Sequence, residues 1–112
     1  MNIKNEKVLP VTERKRCPLH PGKILKELYL AELSISITNF AKELEVSRKA
    51  ISAIVNCRKS ITPEMAMRLS KAIGTTPQLW LNLQANYDLW HLAHEKKQIF
   101  AKIQPIPILV TA

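Results

Sequence analysis

The chain of 112 residues has only two glycines and two cysteines, and each scarcity excludes a class of protein. Gly22 and Gly74 lie far apart, so a glycine-rich phosphate-binding loop is excluded. Charges interrupt the N-terminus, so no apolar signal segment precedes the cysteines, and Cys17 and Cys57 are interpreted as reduced thiols. No apolar run approaches the roughly 18 residues that span a membrane. The sequence therefore predicts a cytoplasmic protein with no membrane partner.

The sequence also lacks the groups of residues that are typical of catalytic or metal-binding sites. The sequence contains no nucleophile–base pairing and no paired carboxylates from which a catalytic site could be predicted. His91 and His94 are three residues apart, and Cys17 and His20 have ligand-like spacing, but zinc needs three or four converging ligands. We therefore expect no enzyme, no metal site and no cofactor.

Basic residues are abundant and unevenly placed. Seventeen Lys and Arg against nine Asp and Glu give a formal net charge of +8. Residues 46–60 carry four of the basic side chains and no acid, and residues 1–16 hold a second excess. This distribution is typical of a protein that binds a polyanion. Charge alone does not separate a nucleic-acid partner from an ordinary basic surface.

The pattern of apolar and helix-capping residues predicts an all-α fold with three parts. A flexible basic arm is expected over residues 1–18, a helical domain over 19–97 and an apolar tail over 98–112. Pro105 and Pro107 exclude a continuous helix in the tail, so we expect an edge strand or an extended segment there.

Two short helices meeting at a tight turn are the most informative feature of the domain. Ser36 and Ser47 stand at N-cap positions. Apolar residues recur at helical spacing on both sides of the turn, namely Phe40, Ala41, Leu44, Ile51, Ile54 and Val55. This arrangement is that of a helix-turn-helix, whose second helix enters the DNA major groove. Three more helices are predicted: one opens at His20, and the other two at Thr62 and Thr76, each followed by proline.

The outward face of the second helix supplies the candidate DNA-binding residues. Arg48 and Lys49 lie in its first turn, where base edges are contacted, whereas Arg58 and Lys59 follow the helix, where phosphate contacts are expected. A solvated charged surface is the alternative reading of these side chains. The full predicted set is Ser36, Thr38, Ser47, Arg48, Lys49, Ser52, Asn56, Arg58 and Lys59.

The fifth helix carries more apolar surface than a small domain can cover. Trp80 and Leu83 are expected to close the core, and the remainder predicts a homodimer contact. The candidate dimer residues are Tyr87, Leu89, Trp90, Leu92, Ile106 and Ile108.

Three segments carry a family resemblance: HPGKILKE at 20–27, LEVSRKAISAIVN at 44–56 and SITPEMAMRLSKAIGTTPQLWLNLQANYDL at 60–89. With them the chain resembles the HigA-type, or VapI-like, antitoxins of the Xre/Cro helix-turn-helix family. The resemblance implies a five-helix lambda-repressor-like domain that binds a palindromic double-stranded DNA operator as a homodimer. It also implies repression of its own operon and neutralisation of a HigB-like toxin, an mRNA-cleaving ribonuclease of the RelE fold.

Three positions depart from the family pattern. Glu45 and Cys57 stand where glycine is usual, and Ile37 replaces a glutamine that often contacts DNA. Left-handed backbone at Glu45 is expected to cost roughly 1 kcal/mol. Two other functions stay open: a stand-alone repressor of the same family without a toxin, and a protein-interaction module that no longer reads DNA.

Overall fold

The computed structural model describes residues 9–107, and every regular element within them is helical. After a 3-10 turn at Val11–Glu13, helix α1 runs continuously through Pro21–Ile24, Leu25–Leu30 and Ala31–Leu33, with a wide π-helical turn at its centre. The remaining helices are α2 (Ile37–Leu44), α3 (Arg48–Val55), α4 (Pro63–Ile73), α5 (Pro77–Glu95) and the short α6 (Lys97–Ala101). The predicted all-α domain of five main helices is confirmed.

The apolar tail differs from the extended segment that the sequence predicted. Residues 97–101 form α6 because the first proline of the tail comes only at position 105. Residues 103–107 are irregular, and within the described part of the tail there is no edge strand. Ile108 and the four residues after it lie outside the described residues.

Side-chain caps set where four of the helices begin. The hydroxyl oxygen of each cap accepts a hydrogen bond from the backbone N–H three residues later. The distances are 3.1 Å from Asn39 to Ser36, 3.0 Å from Ala50 to Ser47, 3.2 Å from Met65 to Thr62 and 3.2 Å from Leu79 to Thr76. The predicted starts of these helices are therefore confirmed.

Left-handed backbone ends three of the helices and follows the end of a fourth. Glu45 has φ of 59° at the end of α2, as its glycine-like position predicted. Cys57, beyond the end of α3, has φ of 62°, and Ser34 ends α1 with φ of 52°. Gly74 at the end of α4 has φ of 76°, where glycine carries no steric cost.

The core lies among α1 to α5 and is closed by α5. Trp80 is fully buried, and its indole N–H donates to the Thr75 hydroxyl at 2.7 Å. The ring of Tyr29 on α1 packs against it at a centroid distance of 5.5 Å. The prediction that Trp80 closes the core is confirmed, whereas Leu83 is half-buried. The other fully buried large side chains are Phe40, Leu25, Ile51 and Leu69.

The described part of the N-terminal arm, residues 9–18, lies against α5 rather than apart from the domain. The Trp90 indole N–H donates to the Arg14 carbonyl oxygen at 2.7 Å, and the Cys17 sulfur lies 3.3 Å from His91 Nε2. Val11 is half-buried in this contact. The sequence predicted an unpacked arm because it shows the arm's polarity and not the hydrogen bond that the Trp90 indole N–H makes with it.

The first turn of α1 touches the end of α3 at Gly22. A Cβ atom at this position would overlap the Ile54 carbonyl oxygen. The approach is between two backbones, so rotation of a side chain cannot relieve the overlap. Gly22 is therefore required by close packing.

We expect Gly22→Ala to lower the free energy of unfolding by about 1–3 kcal/mol, the usual cost of overpacking a well-packed site. Helix propensity alone predicts the opposite sign, because alanine is favoured over glycine within a helix by about 1 kcal/mol. Urea unfolding followed by circular dichroism measures the change.

Gly74→Ala is the matched control, because nothing lies within 4 Å of a Cβ built at that position. Only its positive φ opposes the substitution, at a cost of roughly 1–2 kcal/mol. A Gly22→Ala protein as stable as the wild type would contradict the packing argument.

Candidate nucleic-acid interface

Helices α2 and α3 pack across a three-residue turn as a helix-turn-helix. The Val46 N–H donates to the Ala41 carbonyl at 3.0 Å, which closes the turn against the end of α2. Arg68 on α4 donates to the Leu44 carbonyl at 2.7 Å and to the Glu64 carboxylate at 2.9 Å. The carbonyl end of α2 is thus held to α4, and α3 is oriented on the body of the domain.

The nine predicted DNA-binding residues all keep solvent access on this unit. Ser52 is half-buried and the other eight are exposed. The hydroxyl oxygens of Ser36 and Ser47 accept the capping hydrogen bonds described above. The two residues therefore mark the N-termini of α2 and α3, where backbone N–H groups and serine hydroxyls lie side by side. Such N-termini favour phosphate through the helix dipole.

Arg48 joins the first turns of the two helices. Its Nε donates to the Thr38 hydroxyl at 3.1 Å, a contact between two residues that the sequence selected separately. The terminal guanidinium nitrogens make no hydrogen bond within residues 9–107, so the donors that can bind a guanine edge stay free. The Thr38 hydroxyl therefore orients the Arg48 side chain.

Asn56 and Ser52 are brought together at the other end of α3. The Asn56 amide nitrogen donates to the Ser52 carbonyl at 2.8 Å and lies 3.3 Å from the Ser52 hydroxyl. This arrangement caps the end of α3 and uses hydrogen-bonding capacity of the Asn56 amide nitrogen that a base contact would need. DNA contact by these two residues stays a prediction.

The charged side chains of α3 and of the loop that follows it are all basic. Arg48 and Lys49 on α3 and Arg58 and Lys59 in the following loop are all exposed, with no acid among residues 46–60. A surface of this kind attracts a polyanion.

Two buried polar side chains lie beside the loop that carries Arg58 and Lys59. His20 and Gln84, each 6% exposed, are the polar side chains that are buried within residues 9–107. Gln84 Oε1 accepts from the Ile61 N–H at 2.8 Å, and Gln84 Nε2 donates to Asp88 at 3.0 Å. His20 lies beside the Lys59 backbone, which acts on the pKa of its ring. Gln84 therefore holds the backbone of the basic loop through a hydrogen bond, and His20 packs next to that loop.

The sequence reading missed this support. Gln84 lies four residues after Trp80 on the buried stripe of α5. A polar residue on such a stripe is the sequence feature that could have identified Gln84 as a buried hydrogen-bonding group. His20 was seen only as a helix start and a possible metal ligand. Its Nδ1 accepts from the Gly22 N–H at 2.9 Å, so its ring both caps α1 and reaches the loop.

Burial lowers the pKa of His20 below its ordinary value of 6.5. The Asp88 carboxylate and the Lys59 backbone act in the opposite direction, and the effect of burial is larger. A neutral ring fits the geometry, because Nδ1 must be unprotonated to accept from Gly22.

Comparisons with known proteins agree with this geometry. A helix-turn-helix family model matches residues 25–80. An uncharacterised helix-turn-helix transcriptional regulator of Haemophilus influenzae is 46% identical over 92 residues, covering 80% of this chain and 86% of that protein. The antitoxin HigA-1 of Vibrio cholerae is 30% identical over 92 residues, covering 82% of this chain and 87% of the antitoxin. The solved structure of Pseudomonas aeruginosa antitoxin HigA with the higBA promoter has a TM-score of 0.74 at 38% identity, covering 80% of this chain and 99% of that one.

This chain belongs to the HigA-type antitoxins of the helix-turn-helix family. The resemblance inferred from three sequence segments is thereby confirmed, and the matched model spans the packed core from Leu25 to Trp80. The family is one of DNA-binding regulators and is not a class of enzymes.

The candidate dimer residues of this HigA-type protein separate into two groups. Tyr87 is half-buried between His20 and His91, with ring centroids 4.9 and 4.4 Å away. Trp90 stacks on His94 at 3.9 Å in addition to its bond with the arm. These two aromatic residues thus already have partners within the chain. Leu89, Leu92 and Ile106 are exposed, and Ile108 lies outside the described residues.

Residues 9–107 contain neither a cluster of metal ligands nor a membrane-spanning helix. Cys17, His91 and Glu95 form a chain of contacts at 3.3 Å each, but no group of three ligands converges on a point within residues 9–107. No helix of that part of the chain has the length and apolar character to cross a membrane.

We expect the free energy of unfolding to fall as the pH decreases below about 6.5, partly because His20 takes up a proton in the unfolded chain before it does so in the fold. A group with a lowered folded pKa contributes its full stability above the unfolded pKa and loses it as the pH approaches the folded one. His20→Asn keeps a capping acceptor and removes this titration, so its stability should depend less on pH. Thermal unfolding between about pH 5 and pH 7.5 measures the slope.

His94→Asn, which removes an exposed histidine from α5, is the matched control. An unchanged slope in His20→Asn would show that the buried ring does not carry the effect.

Proposed function

We propose that this protein is the antitoxin of a type II toxin–antitoxin module, which represses its own operon as a DNA-bound homodimer and neutralises a HigB-like toxin. The single observation that supports it best is the exposed first turn of α3, with an oriented Arg48, in a chain that belongs to the HigA family. The proposed partners are a palindromic double-stranded DNA operator, a second copy of the chain and an mRNA-cleaving toxin of the RelE fold. The proposed site of action is the cytoplasm, at the nucleoid when bound to its operator.

In the DNA proposal, residues of α3 contact the bases and residues of the following loop contact the DNA backbone. Arg48 and Lys49 stand where base edges are read, and Arg58 and Lys59 stand beyond the helix end, where the DNA backbone passes. Gln84 holds the loop backbone at Ile61, so the side chains proposed to contact phosphate start from a defined place. Solved structures of similar antitoxins with operator or promoter DNA support DNA binding by this chain.

The dimer proposal rests on the uncovered part of α5 and the tail. Leu89 is 48% exposed, Leu92 41% and Ile106 78%, and burying their remaining exposed surface against a second copy stabilises a dimer by roughly 1 kcal/mol for each leucine and about 2 kcal/mol for Ile106. A two-fold dimer presents two α3 helices to half-sites whose centres lie about 10–10.5 base pairs apart. An inverted-repeat operator follows from that symmetry.

We expect Arg48→Ala and Lys49→Ala to weaken binding to the operator more than binding to random DNA, by about 1–3 kcal/mol for a lost bidentate base contact. Arg58→Ala and Lys59→Ala should weaken both about equally and reduce the salt dependence by roughly one counterion each. Gel-shift titrations at several salt concentrations, on DNA from upstream of the gene, separate the two classes.

Two controls accompany these titrations. A duplex with one half-site should bind more weakly than the full repeat, and equal affinity for the two would contradict a dimer on an inverted repeat. Equal losses on operator and random DNA for the Arg48 and Lys49 variants would mean that these side chains contact phosphate only.

The toxin proposal predicts that the protein copurifies with the product of an adjacent small gene and restores growth to cells expressing it. The Arg48→Ala, Lys49→Ala double variant should lose operator binding and still restore growth, because both residues lie on the DNA side of the domain. A protein that binds its operator and neither copurifies with a neighbour's product nor protects cells is a stand-alone repressor. The relatives that are described as transcriptional regulators favour that second candidate.

A further inference from the structure

A groove runs beside the recognition helix α3. It has a volume of about 370 Å³ and lies between α3 and the segment over residues 59–65. Its walls are mostly apolar, although it opens on the most basic side of the molecule. It is lined by Ser47, Lys49, Ala50, Ala53, Ile54, Lys59, Ser60, Thr62 and Met65.

Ala53 has an unusual position in this groove. It lies four residues after Lys49 and three before Asn56, so the three residues share the outward face of α3. Lys49 and Asn56 are exposed, whereas Ala53 is half-buried on the groove wall. At the centre of a face otherwise made of hydrogen-bonding groups, the chain thus offers a methyl group, with the half-buried Ala50 beside it.

The charges at the mouth of the groove restrict what can enter it. Lys49 stands on the α3 side and Lys59 on the loop side, both exposed. Residues 46–60 contain no acid, and Glu64, the acid within residues 59–65, is paired with Arg68 at 2.9 Å. The surroundings therefore favour a polyanion over an uncharged apolar peptide. The apolar group that double-stranded DNA presents to a helix in its major groove is the C5-methyl of thymine.

We propose that Ala53, supported by Ala50, contacts thymine methyl groups of the operator, and that the groove is a determinant of sequence specificity. This inference rests on the proposed operator binding and deepens it by naming a base feature that the helix reads. Lys59 then contacts the DNA backbone beside the contacted base, while Arg48 and Lys49 read separate positions in the first turn.

The test replaces thymine by uracil, which removes only the C5-methyl and keeps the hydrogen-bonding edge. Duplexes that bind the full-length protein are selected from a random pool, and each thymine of the selected half-site is replaced in turn. Loss of one buried methyl should lower affinity about fourfold at one or two positions per half-site and have little effect elsewhere.

Ala53→Ser places a hydroxyl where the methyl contact is proposed and should abolish the uracil effect at those positions. Ala72→Ser, an exposed alanine near the end of α4, is the matched control and should keep it. Thermal unfolding of both variants verifies that they fold.

The outcomes separate this inference from the function on which it rests. Selective DNA binding with no uracil effect at any position, or an effect that persists in Ala53→Ser, overturns the role of the groove and leaves operator binding intact. Loss of copurification with the neighbour's product in Ala53→Ser, with a flat uracil profile, assigns the groove to a protein partner instead. Failure to select any sequence above random DNA overturns the proposed function and this inference together.

Discussion

The close approach of α1 to the end of α3 is the constraint on which the rest of the structure depends. Only a glycine at position 22 lets the first turn of α1 touch the Ile54 carbonyl. Because α1 packs in turn on Trp80 of α5 through Tyr29, the recognition helix is seated on the core rather than carried on a mobile hairpin. A rigid α3 matters for sequence reading, since a base contact is lost when the helix shifts by a fraction of a hydrogen-bond length.

The loop after α3 explains why the domain buries polar side chains beside α5. Gln84 replaces water as the partner of the Ile61 N–H in the loop after α3, which would otherwise lose its hydrogen bond on packing against α5. Gln84 is itself bonded to Asp88, so both ends of its amide are satisfied. The DNA side of the domain and α5 are thereby connected through hydrogen bonds. A change in the packing of α5 therefore has a direct structural route to Arg58 and Lys59.

Helix α5 contributes to two surfaces: an aromatic surface that contacts the N-terminal arm, and an apolar surface that stays exposed. Trp90 and His91 contact the arm through Arg14 and Cys17, which partly covers the aromatic part of the face. Leu89 and Leu92 remain exposed beside it. An apolar patch of this kind, bordered by a docked basic segment, is typical of an interface rather than of a free surface.

The sequence by itself determined the local features of this protein. The N-caps at Ser36, Ser47, Thr62 and Thr76, the outward position of Arg48 and Lys49, and the left-handed residue at Glu45 were all predicted, because each depends on neighbours within one helical turn. Only the tertiary structure decided the burial of Gln84, the docking of the arm on Trp90, and the apolar groove beside Ala53. The hydrogen bonds that fix the first two join residues 23 and 76 positions apart. No periodicity or capping pattern encodes such a pairing, because it arises only when helices that are distant in sequence pack together and their buried polar groups must find partners.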